Sequence, residues 1–160
     1  MTVRATERHL VEVLVCGSPD RGDDGAPAVA TASLAGHLPS TVQVRVIGQL
    51  DIDDLLSVPP GARVIVVDAA TGIPPGRIVD LPLDGLVDRD DRLRPRSSHA
   101  LGFPEVIGLA TLIRGRPLAG RIVAIGGSRF GLGSALSDRV ARAIPALAKA
   151  VSEAAERAGA

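Results

Sequence analysis

A-R-V-I-V-V-D, residues Ala62 to Asp68, is a continuous β-branched apolar run that ends in one carboxylate. It lacks the polar–apolar alternation of a strand with one wet face. Both faces must therefore be covered, as in parallel sheets packed between helices. The sequence on either side agrees. Upstream, V-E-V-L-V-C (Val11 to Cys16) predicts a short strand stopping at Gly17. Ala26 to Leu38 is Ala-rich and predicts a helix, with Pro27 tolerated in its first turn. Thr41 to Ile47 predicts another strand, and Asp51 to Leu56 one or two helical turns closed by Pro59, Pro60 and Gly61.

Downstream, Arg77 to Leu81 predicts a shorter strand after the turn Gly72 to Gly76, and the polar stretch Pro82 to Ser98 an exposed loop. Phe103-Pro104-Glu105 opens a helix running to Arg114, because proline suits a first turn and an acid suits the positive end of the dipole. Arg121 to Ile125 is the last expected strand. Ser137 stands at the cap position of a closing helix whose Val140, Ile144, Leu147 and Val151 recur at helical spacing. Strands alternating with helices imply a three-layer α/β/α sandwich with a mostly parallel central sheet, one domain over residues 1–160.

Composition narrows the functional classes. A chain of 160 residues buries roughly two-thirds of its unfolded surface, enough for a sheet with helices on both faces. Tyr and Trp are absent, so the core must be aliphatic, and the chain lacks the stacking residues of single-strand nucleic-acid binders. Lys and Arg together number 18, as do Asp and Glu, so no basic excess exists to neutralise phosphates and no nucleic-acid partner is expected. The single cysteine, Cys16, excludes an intrachain disulfide and a multi-cysteine zinc site. Met1 to Val11 contains no apolar run, and no stretch approaches the ~20 apolar residues of a membrane span. The expected location is the cytoplasm, with no membrane partner and a monomer favoured.

In open α/β sheets, ligands bind outside the carboxyl ends of the strands, where the loops converge. Three features fall there: G-S-P-D-R-G-D-D-G (Gly17 to Gly25), Asp68 with its following A-A-T-G-I-P-P-G, and S-S-H-A-L-G-F-P-E (Ser97 to Glu105). A carboxylate ending a buried run is costly unless it is paired, hydrogen-bonded or metal-bound. Each feature also has a plain structural account: Asp68 as a turn cap, His99 as a structural histidine, and Asp24 as compensation for the helix dipole, with the adjacent Asp23 solvated. Taken together, two carboxylates and one imidazole can bind a divalent transition metal and leave positions open. They lie far apart in sequence, so only the fold can assemble them.

At these residues the chain resembles the [NiFe]-hydrogenase maturation endopeptidases, which remove a C-terminal extension from the hydrogenase large-subunit precursor after nickel insertion. V-L-V-C-G-S-P-D-R-G-D-D-G-A matches the family's first strand and its Gly-Asn loop ending in Asp-Asp-Gly or Asp-Glu-Gly. V-I-V-V-D-A-A-T-G-I-P-P-G-R-I matches the apolar run into Asp-Ala and a Pro-Gly turn. S-S-H-A-L-G-F-P-E-V-I-G-L-A matches the Ser/Thr-rich approach to a histidine. The glycine-rich segment before the last helix also has its counterpart, so the resemblance runs from about Val11 to Val151. It implies a phosphorylase/hydrolase-like fold and a peptidase of aspartic or metal-dependent type. It places the catalytic and metal-contacting positions on Asp24, Asp68 and His99, with nickel supplied by the precursor, the implied partner. Ser18 departs from the family's usual Asn, and Asp24 stands where some members carry Glu.

Cys16, inside an apolar strand, is read as packing, because such surroundings raise a thiol pKa and make it inert. Ser98 beside His99 does not make a dyad, since neighbours in sequence do not face one another by necessity. Water attack on a peptide carbonyl is the expected chemistry. Two other classes compete. One is a non-catalytic maturation or nickel-binding factor, suggested by Ser18 and by the basic run Arg92, Arg94 and Arg96. The other is a phosphate or nucleotide binder using Gly126 to Ser134, although this loop lacks a phosphate-loop ending. His9 and His37 are assigned no role.

Overall fold

The strand built on the quoted run, β3 (Arg63–Ala70), is buried from Val64 onward and lies at the centre of a five-stranded sheet. The computed structural model describes residues 8–84 and 103–160. Strand order is β2-β1-β3-β5-β4, with β1 at Val11–Val15, β2 at Val42–Val46, β4 at Ile78–Pro82 and β5 at Gly120–Gly126. The first four strands in this order are mutually parallel, and β4 runs antiparallel to β5. The mostly parallel α/β sheet expected from the sequence is the one observed.

Side-chain alternation along β3 separates two cores. Val64, Val66 and Ala70 pack with Leu55, Val106, Ile107 and Ala110, residues of α2 (Ile52–Leu56) and α3 (Phe103–Arg114). Ile65, Val67 and Ala69 pack with Ala26, Ala30, Val140, Leu147 and Val151, residues of α1 (Ala26–Ala32) and α4 (Asp138–Gly159). These are the three layers. The largest fully buried side chains are all Leu, Ile or Val, the aliphatic core that the missing aromatics demand. Each contributes roughly 1.5–3 kcal/mol by leaving water. Among the described residues, no helix is long and apolar enough to cross a membrane.

Several boundaries differ from expectation. Helix α1 stops at Ala32 rather than Leu38, because the Ser33 hydroxyl turns back to the Ala30 carbonyl (2.6 Å) and Gly36 adopts a positive φ of 77°. Strand β3 continues two residues beyond Asp68, because Ala69 and Ala70 still find partners in Ile125 and Gly126 of β5. The expected exposed loop from Pro82 begins instead inside β4, and Leu83 is fully buried with its N–H donating to the Gly120 carbonyl. Positions 85–98 of that loop lie outside the described residues. Asp51 does cap α2: it and Asp54 form a reciprocal capping box.

Candidate active site

Strand β1 ends at Val15, level with Val67 of β3. The Cys16 N–H still donates to the Val67 carbonyl (2.8 Å), and then the chain turns away. Gly17 makes that turn with φ at 108°, and a Cβ there would sit 2.0 Å from the Asp24 carbonyl oxygen, so only glycine fits. The loop returns at once onto its own start. Asp24 Oδ2 accepts the Ser18 N–H at 2.8 Å, and the 3-10 turn Gly22–Gly25 packs against β3.

Asp68 is thus the first residue of β3 beyond the reach of β1. It lies inside its strand rather than at the strand's end. Asp24 is 7% exposed and Asp68 3%. Asp68 Oδ1 accepts the N–H of Ala69 at 2.9 Å. Burial disfavours its charge, and that hydrogen bond offsets the penalty only in part, so the Asp68 carboxyl is pushed up to about 8.

His99, the third expected member, lies outside the described residues. Among the described residues, no three His, Cys, Asp or Glu side chains group closely enough to hold a metal ion. Asp24 and Asp68 each carry carboxylate oxygens, the kind of donor that a hard or borderline cation takes. Cys16 is buried, in keeping with a packing role.

Asp23 was the residue missed. It is fully buried rather than solvated. Its carboxylate accepts the N–H groups of Ser128 (2.8 Å), Arg129 (2.9 Å) and Ser137 (2.7 Å), and the Ser137 hydroxyl (2.9 Å). Burial alone would raise its pKa, but these donors outweigh burial and hold it below the ordinary carboxylate value. Ser137 stands at the N-cap position of α4 but makes no side-chain cap, because its hydroxyl is committed to Asp23.

The glycine-rich loop before α4 does cradle an anion, and that anion is the protein's own carboxylate. Those N–H groups are not open to a phosphate. The sequence signal was present in two parts: a second acid in excess of the cap, and a distant loop rich in free N–H groups.

Comparison with known proteins gives no match to any family model or curated protein. Among solved structures, the chain is similar to the hydrogenase maturating endopeptidase HybD from E. coli (TM-score 0.73, 19% identity, 93% of each chain covered). It is also similar to the [NiFe] hydrogenase maturation protease HybD from Thermococcus kodakarensis (TM-score 0.69, 21% identity, 91% of this chain and 98% of that one). A third is the hydrogenase 2 maturation peptidase from Thaumarchaeota archaeon SCGC_AB-539-E09 (TM-score 0.61, 28% identity, 90% and 96%). The fold of this chain is that of the hydrogenase maturation proteases.

Proposed function

We propose that this chain is an endopeptidase of hydrogenase maturation, cutting a C-terminal extension from a [NiFe]-hydrogenase large-subunit precursor that already holds nickel. The observation that carries this reading is two buried carboxylates in a chain with this fold: Asp24, in the turn that folds back onto the loop leaving β1, and Asp68, in β3 just past its last pairing with β1. Nickel belongs to the substrate, not to the resting protein. Asp24, Asp68 and His99 engage it, which positions the scissile bond and makes cleavage conditional on metal insertion. A water then attacks the peptide carbonyl, one of the two carboxylates takes its proton, and that proton passes to the amide nitrogen as the C–N bond breaks and the extension leaves as an amine. A carboxyl whose pKa lies near neutrality, as burial makes that of Asp68, suits such a transfer.

The Ser18 departure does not weaken this assignment. Asp24 is bonded by the backbone N–H of Ser18, while the Ser18 hydroxyl donates to Asp20. The reading is tested by mass spectrometry of a nickel-loaded precursor mixed with the protein. Loss of the extension is expected, and it should be abolished in D24A, D68A and H99A while these remain folded. An unchanged precursor mass, with a known maturation protease active in parallel, overturns the peptidase reading. Precursor capture without a mass change would identify a non-catalytic maturation factor.

A further inference from the structure

The hydrogen bonds around Asp23 do more than close a loop. Three backbone contacts run beside its carboxylate: Asp23 N–H to the Arg129 carbonyl (2.7 Å), Gly22 N–H to the Ser134 carbonyl (3.1 Å), and Gly133 N–H to the Asp20 carbonyl (2.7 Å). The approach is as close as backbones allow. A Cβ on Gly22 would meet the Arg129 carbonyl oxygen at 2.4 Å, and one on Gly127 would meet the Cβ of Asp23 at 2.9 Å. On its other side, the Asp23 carbonyl accepts the N–H of Ala26, where α1 begins.

Asp23 therefore joins the 3-10 turn to residues 128–137 at one edge and to α1 at the other. Asp24 is the next residue of that turn. With about three residues per 3-10 turn, successive side chains diverge by about a third of a circle. Asp23 accordingly reaches residues 128–137, while Asp24 reaches back to Ser18.

We propose that Asp23 is the positioning residue of the site: by gathering the donors of Ser128, Arg129 and Ser137 it fixes the turn that aims Asp24. This rests on the proposal that Asp24 acts on the substrate. The substitution D23N is informative because three of the four bonds go to Oδ2. An amide with its oxygen there keeps those three and turns an NH2 toward the Ser137 N–H, a local conflict rather than a lost fold. S137A removes the hydroxyl bond alone. Misplacing a reacting group by about 1 Å costs on the order of 100-fold in rate.

The experiment compares D23N and S137A with the parent chain by two readouts. The first is amide hydrogen exchange at Ser18, which reports the Asp24 carboxylate, normalised to Val66 in the core. The second is kcat and KM on nickel-loaded precursor. In D23N, Ser18 should exchange about tenfold faster relative to Val66, and kcat should fall about 10- to 100-fold with KM within about twofold. S137A should move both in the same direction by less. Faster exchange confined to Ser128, Arg129 and Ser137, or an unchanged kcat in D23N, overturns the inference. If the parent cleaves no precursor, the peptidase reading fails separately, and Ser18 exchange alone decides whether Asp23 positions Asp24.

Discussion

Asp23 and Asp68 are both buried aspartates near the carboxyl ends of the central strands, and their surroundings treat them in opposite ways. Asp23 sits among three backbone N–H groups and a hydroxyl, which hold its carboxyl below the ordinary value. At Asp68 burial prevails, the Ala69 N–H offsets it only in part, and the carboxyl rises to about 8. Burial alone thus does not decide what a carboxylate does. Surrounded by donors, it is a fixed anion that organises backbone. Where burial prevails, it stands ready near neutral pH to exchange a proton or to take a cation.

The sharpest way to break this contrast is to delete the fixed anion. D23A leaves three N–H groups and a hydroxyl without their acceptor, at roughly 1–3 kcal/mol each before relaxation. A loss of about 4 kcal/mol is expected in urea unfolding at pH 7, and a loss below about 1 kcal/mol would show that the donors find other acceptors. The pH sign follows from the depressed pKa. The Asp23 contribution is present above the unfolded value, near 4, and fades as pH falls through the folded one.

Asp68 should behave in the reverse sense. Its folded pKa is raised, so the native state keeps a proton that the unfolded chain releases. Stability then falls as pH rises from about 4 to about 8, and levels off above that. D68N carries no charge and keeps an oxygen for the Ala69 N–H. It should be more stable than the parent at pH 9 by up to about 5 kcal/mol, with the gap closing near pH 4. Equal urea midpoints at pH 9 would deny that burial governs Asp68.

A smaller effect sharpens the comparison by disturbing Asp24 without touching Asp23. G17A forces a side chain into a positive-φ position against the Asp24 carbonyl. It should cost about 2 kcal/mol, read as a lowered Tm. It should also release the Ser18 N–H from Asp24 while the Ser128 and Arg129 amides stay protected.

Most of the fold could be read from local sequence. The apolar run into Asp68 identifies the central parallel strand, and Phe103-Pro104-Glu105 with Arg114 marks the ends of α3 as observed. Most of what escaped depends on partners remote in sequence. Strand β3 outruns Asp68 because β5 offers Ile125 and Gly126 as neighbours. Helix α1 ends early because a local competitor, Ser33, and Gly36 outweigh a favourable Ala-rich composition. Asp24 and Asp68 were visible as an acid before a helix and an acid closing an apolar run, whereas the partners of Asp23 were not, because its donors lie more than a hundred residues away. The elevated Asp68 carboxyl was likewise unreadable, since its cause is the packing of the finished sheet.

The most direct test of the central contrast is a side-by-side titration of the two carboxyl carbons, Asp23 and Asp68, by 13C NMR on the intact protein. Asp68 should titrate near 8 and Asp23 below its ordinary value. Two ordinary transitions near pH 4 would contradict the division of these acids into a fixed anion held by donors and a carboxyl that burial keeps protonated.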